Sequence, residues 1–143
     1  MFFKKPLFFK RLRNGYPPFK ARREDAGYDL SAVDNVVLRP GFTATLKTRL
    51  CVQLPAGSVG LILGRSSLNS AGIIVSTGVI DAGYTGELAI TIYNSSAQVF
   101  KINRSDRVAQ LVVLKLADNG EAQKIDCLKR TSRADKGFGS SGR

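Results

Sequence analysis

Strand-forming runs of three to a dozen residues, each cut off by Gly, Pro, Asn or Asp, set the strongest limit on how this chain can fold. Thr43 to Leu54 ends at Pro55-Ala56-Gly57, and Val59 to Leu63 ends at Gly64. Leu88, Ile90 and Ile92 alternate with Ala89, Thr91 and Tyr93, which predicts a strand with one core face and one wetter face. Val108 to Leu116 is nearly continuous in apolar residues and reads as a strand covered on both sides. Phe8 to Leu12, Asn35 to Val37 and Gln98 to Ile102 are shorter strand candidates. The single helix candidate is brief, Ser67 to Ala71, with Gly72 to stop it. Long amphipathic helices and internal repeats are missing. Many short strands with regular turns predict an all-β, single-domain sandwich or jelly roll.

The 143 residues suit one domain, and 43% hydrophobic content suffices for a packed core. No apolar run is long enough to span a membrane. The first nine residues are interrupted by Lys4, Lys5 and Pro6, which makes a poor secretory signal. Cys51 and Cys127 form neither a disulfide framework nor a zinc-ligand pattern, so a reducing compartment, cytoplasmic or nuclear, is expected. The sequence contains no histidine. Histidine-dependent triads and histidine general bases are therefore excluded, and acid–base chemistry falls to Asp, Glu, Lys or Tyr.

Against 11 acidic residues stand 22 basic ones, a formal net charge of +11. Such a field attracts polyanions, among them nucleoside triphosphates and nucleic acid. Much of the excess precedes Glu24: Lys4, Lys5, Lys10, Arg11, Arg13, Lys20, Arg22 and Arg23. This arm is either a solvated basic face or a site of weak, nonspecific phosphate contact with nucleic acid.

Five polar islands interrupt the β pattern. They are Ala26-Gly27-Tyr28-Asp29-Leu30, Gly64-Arg65-Ser66-Ser67-Leu68, the stretch from Gly78 through Asp81 and Tyr84 to Glu87, Arg107-Val108-Ala109-Gln110-Leu111, and the terminal Arg133 to Gly142. Taken singly, each has a structural explanation, such as a turn cap, a surface ion pair or a hairpin turn. The terminal island sets Phe138 between Gly137 and Gly139, with Arg133 before it and Ser140 and Ser141 after it. One aromatic face, free backbone N–H groups, hydroxyls and a cation suit a lid over a nucleotide. The chain thus divides into a basic and aromatic extension over 1–7, a β domain over 8–130 and a Gly/Ser-rich lid over 131–143.

In their order, the five islands resemble the motifs of the homotrimeric dUTPase family, from about Phe8 to Gly142. The resemblance implies a β jelly-roll barrel or sandwich that hydrolyses dUTP to dUMP and pyrophosphate with Mg2+. Such an activity lowers dUTP and supplies dUMP for thymidylate synthesis. It implies that Asp81 orients the attacking water as general base. Tyr84 would pack beneath the deoxyribose and reject a 2′-hydroxyl. Backbone groups at Gly78 and Ile80 would read the uracil edge, and Phe138 would stack on the base. Arg65, Ser66, Ser67 and Gln110 would hold phosphate, and Arg133, Gly139, Ser140 and Ser141 would close over it. Asp29 and Gln110 would orient water around the magnesium ion, with no direct protein ligand to the metal. Arg107 would hold motifs together by ion pairing. It further implies a homotrimer with active sites shared between subunits.

Two departures bear on this. The family's second motif reads Pro-Arg-Ser-Gly-Leu, whereas Gly64 and Ser67 stand here for its proline and glycine. The same segment is similar to that of the dCTP deaminases. Those enzymes carry a catalytic glutamate ten residues past the third motif's aspartate, where this chain has Thr91, and they lack the Gly-Phe-Gly-Ser tail. A binding or signalling module built on the same fold is the third reading.

Overall fold

The computed structural model describes residues 6–117 and 120–132. These residues are nearly all β, with a single short helix. In chain order the elements are β1 (Phe8–Arg11), β2 (Gly27–Ser31), β3 (Val36–Leu38), β4 (Thr43–Gln53), β5 (Ser58–Gly64), α1 (Ser66–Ser70), β6 (Ile73–Val75), β7 (Gly78–Asp81), β8 (Glu87–Asn94), β9 (Phe100–Ile102) and β10 (Arg107–Lys115). Two four-stranded sheets, ordered β1-β4-β8-β6 and β2-β10-β5-β7, are joined by a β3-β9 ribbon. All pairings are antiparallel, and the sheets do not close into a barrel.

The period-two side-chain pattern fills the core from both sheets. Leu88, Ile90 and Ile92 of β8 are fully buried, as their alternation predicts, and meet Leu46, Leu50 and Val75 of their own sheet and Leu30, Ile62, Ala109 and Leu111 of the other. Buried polar groups are paired, with none left unsatisfied among the described residues. Asn94 is completely buried. Its Nδ2 donates to the carbonyls of Leu38 (2.9 Å) and Gln98 (2.8 Å), and its Oδ1 accepts from the N–H and hydroxyl of Ser96. One amide therefore ties β3 and the turn before β9 to the end of β8.

A bulge in β4 shifts its register against β8 between Lys47 and Cys51. Arg49 there has a φ of 52°, and its N–H is taken by the Glu87 carboxylate at 2.9 Å. The Arg49 carbonyl accepts from Leu12 N–H and lies so close to Gly15 that no side chain fits there. The N-terminal segment is thereby held beside β4.

The expected strands and helix form, with ends shifted by a few residues. Differences arise where polar residues enter strands. Residues 27–31 and 78–81, singled out as polar islands, are β2 and β7, and β6 was not foreseen. The expected double coverage of β10 holds only in its first half. Leu114 and Leu116 are 46% and 43% exposed, because among the described residues no layer covers this end of the sheet's outer face.

Asn94→Ala removes four hydrogen bonds at a completely buried side chain. Each orphaned group costs about 1–3 kcal/mol. Urea unfolding should show the variant destabilised by at least that amount, with its slope in denaturant unchanged.

Candidate functional site

The register of β10 decides which side chains reach the surface together. Ala109 and Leu111 point into the core, so Gln110 between them points outward. Gln110 pairs directly with Asp29 of β2 on one side and Leu63 of β5 on the other. Residues opposite one another in a sheet share a face, so Asp29 and Gln110 stand together on the outer face. There they line a cleft of about 350 Å3 with Gly27, Arg65, Ser66 and Arg107, walled by Phe19 and the segment Ala21 to Ala26.

Asp29 is the electrostatic centre of this cleft. Its Oδ1 lies 3.1 Å from Arg65 Nε, and its Oδ2 accepts from Arg107 Nη1 at 3.2 Å. Arg65 also donates through Nη1 to the Arg107 carbonyl at 2.9 Å. One carboxylate thus fixes two guanidinium groups, and the cluster keeps a net positive charge. Gln110 Nε2 donates to the Gly64 carbonyl at 3.1 Å. A Cβ at Gly27 would sit 2.6 Å from Gln110 Oε1, so the glycine makes room for this side chain. A Cβ at Gly64 would likewise sit 2.6 Å from Asn69 Oδ1. The space over Gly64 is already occupied by that amide, which fits the glycine at this position.

Helix α1 starts at Ser66, with Arg65 as N-cap and no side-chain cap bond. The exposed Ser66 and Ser67 occupy its first two positions, where N–H groups have no intrahelical acceptor. Backbone donors, a hydroxyl, two guanidiniums and an amide therefore converge on one cleft. That set is suited to an anion with several oxygens.

Gly78, Ile80, Asp81 and Tyr84 lie elsewhere. They belong to β7 and the turn after it, where Tyr84 N–H donates to the Asp81 carbonyl at 3.0 Å. Ile80 packs against the core, whereas Asp81 is exposed. The Tyr84 hydroxyl donates to the Glu87 carbonyl at 2.9 Å, and its ring lies against Gly86, where a Cβ would meet the hydroxyl oxygen at 2.5 Å. The tyrosine is thus pinned at the surface.

Asp81 pairs with Val59, at the opposite end of β5 from Leu63, beside Gln110. Four residues along the strand and two strand spacings across it separate Asp81 from Gln110 by roughly 16 Å. Within one chain, the phosphate-type cleft and the exposed carboxylate do not face a common ligand. Arg133, Phe138, Gly139, Ser140 and Ser141 lie outside the described residues.

Thr91 lies on β8, in the other sheet, with its hydroxyl 3.2 Å from that of Thr45. It has no place near the cleft. Phe19 was not singled out from the sequence, although Lys20, Arg22 and Arg23 beside it belong to the basic arm. Its signal there is slight, an aromatic residue after Pro17-Pro18 in a basic stretch.

Among the described residues, no group of three or more His, Cys, Asp or Glu is arranged to hold a metal ion. Among the same residues, no helix is long and apolar enough to cross a membrane.

A family model described as dUTPase matches residues 14–142. The deoxyuridine 5'-triphosphate nucleotidohydrolase of Mycobacterium marinum (strain ATCC BAA-535 / M) is 44% identical over 141 residues, covering 92% of each chain. That of Tropheryma whipplei (strain Twist) is 38% identical over 135 residues, again covering 92% of each. Among solved structures, the Staphylococcus bacteriophage 80alpha dUTPase with dUPNHPP matches with a TM-score of 0.91 at 30% identity, covering 98% of this chain and 100% of that one. A mutant dUTPase from phage phi11 of S. aureus, described as coordinating a structural Mg(II) ion, matches with a TM-score of 0.78 at 29% identity, covering 85% and 97%.

Asp29→Ala would leave Arg65 and Arg107 side by side without their common carboxylate. Hydrogen bonds to charged groups contribute about 1.5–3 kcal/mol, and partial exposure lowers that figure. Thermal unfolding should give a reduced midpoint, with a larger deficit at low ionic strength than at high.

Proposed function

Because this chain belongs to the dUTPase family, we propose that it hydrolyses dUTP to dUMP and pyrophosphate at sites assembled from more than one subunit. The observation that carries the reading is the convergence of Arg65, Ser66 and Gln110 around the charge-locked Asp29. This cleft takes the phosphates. The Ser66 hydroxyl and the first N–H groups of α1 donate to phosphate oxygens, Arg65 supplies positive charge, and Gln110 offers its amide to phosphate or to ordered water.

Asp81 acts as general base on the attacking water at the α-phosphorus, since the chain offers no histidine for that task. The pinned Tyr84 ring supports the deoxyribose. A 2′-hydroxyl placed there would find neither space nor a partner, which accounts for discrimination against UTP. Main-chain groups at Gly78 and Ile80 read the uracil edge. Phe138 stacks on the base, while Arg133, Gly139, Ser140 and Ser141 close over the phosphates, so residues 131–143 act as a lid.

The donor set fits a cation that arrives on the triphosphate and keeps its water. Both oxygens of Asp29 are engaged by guanidiniums, which leaves it suited to accepting from water rather than to direct ligation. A magnesium ion so carried would neutralise phosphate charge and make the phosphoryl group easier to attack.

The family resemblance implies a homotrimer, and two observations support sites shared between subunits. The separation between Asp81 and Gln110 is too great for both to serve one nucleotide within one chain. The outer face of the β2-β10-β5-β7 sheet also exposes Val79, Leu114 and Leu116, an apolar surface that a second copy would cover. The dCTP deaminase reading is disfavoured because Thr91 stands where those enzymes carry their catalytic glutamate, and a threonine hydroxyl cannot serve as that base.

The deciding assay is product analysis with dUTP, UTP, dCTP and dTTP. Expected is pyrophosphate and dUMP from dUTP alone. Deamination of dCTP would indicate the competing chemistry, and inertness towards all four a binding module. Asp81→Asn should lower kcat by about 10²–10⁴-fold, the usual contribution of a positioned base, with the unfolding midpoint retained.

A chain ending at Arg130 should keep the fold and lose turnover by orders of magnitude. Unchanged turnover after this truncation would remove the lid from the mechanism.

A further inference from the structure

Residues Tyr16 to Asp25 form a strap beside β2, the edge strand of its sheet, tied down at several points. Arg104 Nε donates to the Tyr16 hydroxyl at 3.0 Å. Phe19 and Asp29 exchange both backbone hydrogen bonds, at 3.1 and 2.7 Å. The Lys20 ammonium lies 4.5 Å from the centre of the Tyr28 ring and donates to the Asp25 carbonyl at 2.7 Å. The Arg107 guanidinium lies 5.3 Å from the centre of the Phe19 ring.

We propose that Phe19 is a positioning residue for the phosphate cleft, fixing Arg107 through its ring and Asp29 through its backbone. The inference rests on the functional reading above. Arg107 has few other restraints at its head group. Its side chain is 44% exposed, and its carboxylate partner among the described residues, Asp29, is shared with Arg65. An arginine so exposed samples many rotamers unless a second surface restrains it. The Phe19 ring is that surface, since a guanidinium over an aromatic face is held by the ring quadrupole. The same residue fixes the main chain that carries the carboxylate, because its N–H and C=O both pair with the Asp29 backbone. Phe19 also lines the cleft itself. With the ring removed, Arg107 can swing away, Asp29 loses one of its two partners, and Arg65 and the cleft lose their alignment.

Three substitutions test this in the full-length protein. Phe19→Leu keeps the backbone pairing and most of the apolar volume but has no ring. It should raise KM for dUTP about two- to fivefold, the size of an exposed cation–π contact, with kcat little changed. Phe19→Tyr should restore the wild-type KM. In an Arg107→Gln background, Phe19→Leu should have no further effect, because the two residues act as a unit. Phe19→Trp supplies a spectroscopic readout, since the chain has no tryptophan of its own. Its single indole should show a saturable fluorescence change on titration with inorganic tripolyphosphate. A KM unaffected by Phe19→Leu, additive effects with Arg107→Gln, or an indole blind to tripolyphosphate would each overturn the proposal. Failure of the functional reading looks different: the wild-type protein would release no pyrophosphate from dUTP, while the indole titration would still report on the cleft.

Discussion

The alignment of β10 between β2 and β5 is the constraint on which the rest of the molecule depends. Moving that strand by one residue would send Gln110 into the core and bring Ala109 and Leu111 to the surface. The burial of those two residues therefore protects the position of the amide between them. In the same register Asp29 faces Gln110, and Gly64 at the end of β5 offers its carbonyl to the Gln110 amide. Core packing and site geometry are two faces of one strand.

That register also limits what a single chain can do. The face that carries the cationic cleft carries Asp81 at its far corner, and the strand between them is rigid. No side-chain rotation closes a gap of roughly 16 Å. Association of copies solves two problems at once. It brings a carboxylate from one subunit to the phosphates held by another, and it covers the apolar residues that each chain leaves open at Val79, Leu114 and Leu116.

Much of the fold is legible in the sequence because β8 and β4 follow the period-two rule with few exceptions. Leu88, Ile90 and Ile92 are as buried as their spacing demands. β2 and β7 were hidden for a physical reason. Each contains Gly and Asp, which strands disfavour unless the site uses them. The residues that obscured those strands are the ones that mark the site. In β10, an apolar run cannot reveal whether its cover comes from its own core or from another copy. The ion pairs of Asp29 with Arg65 and Arg107 join residues 36 and 78 positions apart, a proximity that only the sheet order creates. The part played by Phe19 depends on a ring lying over a guanidinium 88 positions away in sequence, for which composition offers no signal.

Sharing of the active site between subunits can be measured by mixing. Asp81→Asn and Gln110→Ala proteins, each impaired alone, are denatured together in equal amounts and refolded. In a cyclic trimer with random assortment, about one quarter of the sites receive an intact carboxylate from one subunit and an intact cleft from the next. The mixture should therefore recover dUTP turnover to about that fraction of wild type. Turnover that stays at the level of the two parent variants would contradict the shared site.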